Sequence, residues 1–182
     1  MITNLEIEDV KIITPKRFGD DRGYFSESYN KKVLSDHGIN IAFVQDNHSL
    51  SINTFTLRGL HYQSPPYAQD KLVRVVRGSI LDIAVDIRVS SNTYGQHVSA
   101  KISAVEGNQI LVPKGFAHGL ITLEPNTEVI YKVSNYFSSD HDEGILWSDP
   151  DLNIDWGISE NLPLLSEKDK VQMRFSQINS PF

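Results

Sequence analysis

The run Leu57-Arg58-Gly59-Leu60-His61-Tyr62-Gln63, followed by Lys71-Leu72-Val73, gathers two cations and a titratable ring into a short stretch of chain. A guanidinium forks onto phosphate or carboxylate, an imidazole exchanges a proton near neutral pH, and a lysine ammonium can steady an oxyanion. Arg58, His61 and Lys71 therefore point to chemistry on an anionic substrate.

The chain that must position them has 182 residues, 40% of them hydrophobic, enough for one domain with a real core spanning residues 1–182. It has no cysteine, so disulfide scaffolds and thiolate metal sites are excluded. A net charge of -6 argues against nucleic-acid binding, which needs a basic footprint to displace counterions. No stretch is long and apolar enough to cross a bilayer, and Met1 to Glu6 carries no secretory pattern, so a soluble cytoplasmic protein is expected.

Glycines and prolines punctuate short runs throughout, and no repeat or linker divides the chain. The clearest strand is Leu81 to Ile87, with Leu81, Ile83, Val85 and Ile87 on a greasy face and Asp82, Ala84 and Asp86 on an acidic one. Similar runs occur at Val10 to Thr14, Tyr24 to Tyr29, Ala42 to Asn47, Thr56 to His61, Leu72 to Arg77, Gln109 to Val112, Gly119 to Leu123 and Glu128 to Val133. The rhythm predicts an all-β sandwich or jelly-roll barrel, with short peripheral helices near Lys31 to Asp36 and over Glu167 to Phe175.

Gly107, Pro113, Gly115 and His118 form G-x5-P-x-G-x2-H, which resembles the second motif of the cupin superfamily. Metal-binding cupins offer H-x-H in their first motif, two histidines on one strand face. Here the triplet is His61-Tyr62-Gln63, and Gln63 in the second position argues against a three-histidine metal site. On its own, His118 reads equally as a core histidine satisfied by hydrogen bonds.

An ordered set of segments carries a closer resemblance. Phe18 to Gly23, Phe25 to Glu27, Phe43 to Ser49, Leu57 to Gln63, Lys71 to Val73, Asp82 to Arg88, Pro113 to Gly119, Tyr131-Lys132 and Leu165 to Asp169 together resemble the dTDP-4-dehydrorhamnose 3,5-epimerases across nearly the whole chain. The resemblance implies a cupin jelly roll, a homodimer, and no metal or other cofactor. It also implies inversion at C3 and C5 of dTDP-4-dehydro-6-deoxy-D-glucose, in the supply of dTDP-L-rhamnose for cell-surface polysaccharide.

A 4-keto group acidifies the hydrogens on both neighbouring carbons, so the reaction needs a base, an acid on the opposite face and a stabiliser for the enolate. An imidazole, ordinarily titrating near about 6.5, makes His61 the candidate base. By the family's pattern Asp169 orients that ring. Tyr131 is the matching acid, and Lys71 the enolate stabiliser, a role whose loss typically costs on the order of 100- to 1000-fold in rate. The resemblance also carries over Arg22, Glu27, Gln45, Asp46, Asn47, Arg58, Lys71, His118, Glu143 and Lys168 as substrate contacts, with Phe137, or its neighbour Tyr136, stacking on thymine.

Each residue has a plainer use. Ser166-x-x-Asp169 also reads as a capping box, Tyr131 as a core residue of Val129-Tyr131-Val133, Lys71 as an edge charge, and Arg22-Gly23 as a turn. Where the family commonly has S-P-T-x-G-x-W, this chain reads Ser91-Asn92-Thr93-Tyr94-Gly95-Gln96-His97, which puts that loop's geometry in question. The competing functions are a mono-epimerase on a related 4-keto sugar nucleotide, a metal-dependent cupin enzyme, and a non-catalytic sugar-nucleotide binding module.

Overall fold

The computed structural model describes residues 1–159 and 162–182. In chain order the elements are β1 (Ile2–Asn4), β2 (Lys11–Ile13), β3 (Arg17–Asp20), β4 (Gly23–Ser26), α1 (Lys31–Asp36), β5 (Gln45–Ser51), β6 (Leu57–Gln63), β7 (Lys71–Arg77), β8 (Ser79–Asp86), β9 (His97–Ser103), β10 (Gln109–Val112), β11 (Phe116–Thr122), β12 (Thr127–Val133) and β13 (Asp142–Gly144). One sheet runs β1-β2-β10-β7-β12-β5 and the other β13-β6-β11-β8-β9, while β3 and β4 form a separate hairpin. Every strand pairing in these sheets is antiparallel.

The period-two pattern of the strands builds the interior. Val73, Val75, Ile110 and Val129 of the first sheet pack against Ile80, Ala84, Val98, Ile102, Phe116 and Leu120 of the second. Full burial of a valine, isoleucine or phenylalanine side chain is worth roughly 1.5–3 kcal/mol, so this layer between the sheets is a main source of the fold's stability. The result is the cupin-type jelly roll that the strand rhythm and the motifs led us to expect.

The two outer faces are covered differently. Leu34 of α1 joins Ile13, Ile39, Leu72 and Leu111 over the first sheet. Asn30 caps this helix by accepting from the Lys32 and Val33 amides, and Gly38, at φ 79°, ends it. The chain beyond β13 covers the second sheet, placing Ile145, Trp147, Leu152 and Trp156 on Leu57, Leu60, Ile83, Val85 and Ile87.

That C-terminal cover changes the reading of β8. Its greasy face points outward under the cover, and the acidic face carrying Asp82 and Asp86 is buried on the interior side with Ile80 and Ala84. Both carboxylates are paired there. Asp86 accepts from Arg88, Ser91 and Thr93. Burial pushes its pKa up, but these donors outweigh the effect and hold it at about 2. Ser91 and Thr93 therefore anchor the 91–97 loop without the family's proline and tryptophan.

The helix expected over Glu167 to Phe175 does not form. Turns occupy 167–170, and a single 3-10 turn spans Phe175–Gln177. Val171 and Met173 are exposed, so a helix there would have no apolar stripe to bury. The backbone is used elsewhere: the Met173 carbonyl accepts from the Leu146 amide, and the Phe175 amide donates to Asp149.

Candidate active site

Between the sheets lies a cavity of about 540 Å³ whose walls include Arg58, His61, Lys71, His118, Tyr131 and Asp169. A second lobe of about 380 Å³ shares His61, Lys71 and Tyr131 and adds Gln45, Asn47, Phe137 and Asp142. The four expected catalytic residues thus converge from β6, β7, β12 and the C-terminal cover.

Arg58 and His61 should face opposite ways on a regular strand, because three positions break the period of two. A register shift between β6 and β11, falling between His118 and Leu120, turns both toward the cavity. Gly59 makes the shift sterically feasible. Its φ is +133°, and a Cβ placed there would lie 2.4 Å from the Gly119 Cα, so the strands approach too closely for any side chain.

His61 Nε2 stands 2.6 Å from Asp169 Oδ1. An ionised carboxylate only accepts, so Nε2 carries the hydrogen of the neutral ring and Nδ1 is left with a free lone pair. Asp169 is 2% exposed. Burial raises its pKa, and the opposing bonds from His61, Ser166 and the Gly59 amide are stronger, so the net shift is downward and the carboxylate stays ionised. Ser166 both donates to Asp169 Oδ2 at 2.7 Å and accepts from its amide at 3.1 Å. The cap-like turn and the His61 contact are therefore one arrangement, with the turn presenting the carboxylate.

Lys71 is the first residue of β7 and shares the interior face with Val73 and Val75. Its ammonium donates to the His61 carbonyl at 3.3 Å. Burial lowers its pKa to about 8 against the opposing pull of Asp142 and Asp82, so it is still mainly cationic at neutral pH. Tyr131 faces the same interior from β12. Burial raises its pKa, Arg58 draws it back and Asp142 adds to the rise, leaving the phenol protonated.

His118 lies opposite His61 across the β6–β11 pair. Its Nε2 contacts both oxygens of the buried Asp82 at 2.9 Å, and the ring also lines the cavity. It is thus a hydrogen-bonded interior histidine and a wall of the site together. Asp142, which lines the second lobe, and Asp82, which holds His118 from behind, are carboxylates that the motif reading missed. The recurrence of Asp82 and Asp86 on one face of β8 was the available signal for Asp82.

Other expected contacts lie elsewhere within the chain. Arg22 sits in the exposed turn of the β3–β4 hairpin, paired with Asp20. Glu27 accepts from Asn30 ahead of α1. Asp46 alternates with Gln45 and Asn47 on β5, so its side chain points outward, where it pairs with Lys132 at 2.8 Å. Glu143 accepts from Tyr62 at 2.9 Å and does not line either lobe. Lys168 pairs with Asp142 beside the second lobe.

The chain is similar to known proteins over nearly its whole length. The family model described as dTDP-4-dehydrorhamnose 3,5-epimerase matches residues 4–177. The enzyme of that name from Shigella flexneri is 50% identical over 169 residues, 92% of each chain. Its counterpart from Sinorhizobium fredii is 46% identical over 98% of this chain and 91% of its own. A Bacillus anthracis structure with TDP and PPi bound superposes with a TM-score of 0.92 at 48% identity, covering 96% of this chain and 98% of that one. A Legionella pneumophila structure in complex with dTDP-4-keto-L-rhamnose gives 0.93 at 42% identity, covering 98% and 94%. With this likeness extending over fold and length alike, the chain belongs to the dTDP-4-dehydrorhamnose 3,5-epimerase family.

Proposed function

We propose that this chain inverts C3 and C5 of dTDP-4-dehydro-6-deoxy-D-glucose one carbon at a time: His61 Nδ1 removes the proton from one face, Tyr131 delivers a proton to the opposite face, and exchange with solvent restores both groups before the second carbon reacts. The observation that carries the reading is the 2.6 Å contact from His61 to the buried Asp169 in a cavity shared with Lys71 and Tyr131. Proton removal leaves an enolate at C4. Lys71 neutralises that oxygen, and Asp169 stabilises the imidazolium formed on His61.

Arg58 and Lys168 offset the diphosphate, Gln45, Asn47 and His118 bind polar groups of the substrate, and Phe137 stacks on the base. Arg22 and Glu27 reach substrate from a second copy of the chain. The β3–β4 hairpin that carries Arg22 exposes Phe18, Tyr24 and Phe25 by 54%, 62% and 66%, an apolar surface suited to a homodimer contact. Sedimentation should give twice the monomer mass.

Incubating the protein with this sugar nucleotide in heavy water tests the reaction. Deuterium should enter at both C3 and C5. Similarity also extends, at 26% identity and a TM-score of 0.86, to a 3'-monoepimerase from Streptomyces bikiniensis. Exchange confined to one carbon would select that activity and sink the double inversion.

A further inference from the structure

Gln63 occupies the position where metal-binding cupins place a second histidine, and it shares the interior face of β6 with His61. It is 5% exposed. Its side chain is fully engaged with backbone: Nε2 donates to the Tyr67 carbonyl at 2.6 Å and the Tyr136 carbonyl at 3.1 Å, while Oε1 accepts from the Ser138 amide at 2.8 Å. Tyr136 and Ser138 flank Phe137, so one amide group grips the peptide units on both sides of that residue.

Phe137 needs such a grip. The residue is 61% exposed, which leaves little packing to hold it, and its own amide makes one long bond of 3.3 Å to Gln45. We infer that Gln63 is a positioning residue that fixes the Phe137 platform relative to His61 and so sets the distance between the bound base and the reacting sugar. This rests on the reading of Phe137 as the base-stacking residue.

The chemistry of the three bonds selects glutamine. Two carbonyls require two N–H donors from one atom, and one amide requires an acceptor beside it, a combination only a primary amide offers. An ionised glutamate of the same shape would set an oxygen against both carbonyls. A histidine has one donor and one acceptor in its neutral form, so it cannot satisfy the set. The residue that removes a metal ligand therefore supplies a brace on the same strand as the base.

The test uses Gln63→Glu with Gln63→Met as a milder second variant, and Phe137→Ala as a reference. Thermal melting confirms that each is folded. We expect Phe137→Ala to weaken dTDP binding about 10-fold or more, as loss of a stacking partner should. Gln63→Glu should raise the dTDP dissociation constant and KM about 10-fold while lowering kcat less than threefold, and adding it to Phe137→Ala should cost little more. Amide hydrogen exchange in residues 134–139 should quicken in both Gln63 variants.

If Phe137→Ala leaves dTDP affinity unchanged, the stacking reading fails. If it weakens binding while both folded Gln63 variants keep wild-type affinity and exchange, the positioning role is overturned. A fall in kcat without a change in dTDP affinity overturns it equally, because that result places Gln63 in the chemistry of His61. Should Gln63→Glu fail to fold, Gln63→Met decides by the same measures.

Discussion

Replacing Asp169 with asparagine keeps the shape of the side chain and removes its charge, which isolates what the carboxylate does for His61. The contact is 2.6 Å and the acceptor is 2% exposed, so solvent cannot substitute for it. A hydrogen bond to a charged group is worth about 1.5–3 kcal/mol, and about 1.4 kcal/mol is a factor of ten. Loss of imidazolium stabilisation alone therefore costs about 10- to 150-fold. An asparagine also presents an N–H₂ that can donate to Nε2, which forces the hydrogen onto Nδ1 and blocks the lone pair that faces the substrate. Because general-base catalysis contributes on the order of 10²- to 10⁴-fold, the two effects together predict a fall in kcat of about 10²- to 10³-fold. Binding of dTDP should change less than threefold, since Asp169 acts through His61. The assay is deuterium entry at C3 and C5 followed by NMR, with dTDP affinity measured calorimetrically. A folded Asp169→Asn protein that keeps more than a tenth of the wild-type exchange rate would refute the orienting role.

Further expectations follow from the same geometry. Activity should fall as pH rises through about 8, because the buried Lys71 loses its proton there, and Lys71→Gln should flatten this limb while lowering kcat about 100- to 1000-fold. Tyr131→Phe should still admit deuterium to the sugar, since His61 can return a proton to the face it came from, but the NMR couplings should show little inversion. Gly59→Ala should destabilise the fold by about 3 kcal/mol in urea unfolding, because the added Cβ meets the Gly119 backbone at 2.4 Å in a backbone region that disfavours side chains. Asp86, held at about 2, lends stability that is fully present above the unfolded value of about 3.9 and is lost as pH falls toward about 2. Asp86→Asn should therefore lower the melting temperature at pH 7 and flatten its fall in acid.

Parts of the fold could be read directly from residue order because local chemistry decided them. Gln109–Val112 is a short apolar run between turn residues, and Lys31–Asp36 has an asparagine cap and a terminating glycine. The strand at His97–Ser103 escaped notice because small and polar residues separate its two buried anchors, Val98 and Ile102. The orientation of β8 was hidden for another reason: its greasy face is covered by chain arriving some sixty residues later, so both faces are interior and alternation cannot say which meets the other sheet. In the site, His61, Lys71, Tyr131 and Asp169 were identified as a set through family resemblance. Asp142 was not, since its closeness to Lys71 depends on how β13 joins β6. Arg22 and Glu27 illustrate the opposite case, where sequence pattern named residues that one chain alone does not bring to its cavity.

Asp169 lies beyond every strand of the barrel, on the cover that closes over β6 and β8. Every strand of both sheets therefore precedes, in the order of the chain, the carboxylate that bonds His61. Cutting the chain after Gly144 would strip the apolar cover from the second sheet and the Asp169 contact from His61 at one stroke, so the folding of that sheet's outer face and the orientation of the imidazole stand or fall together.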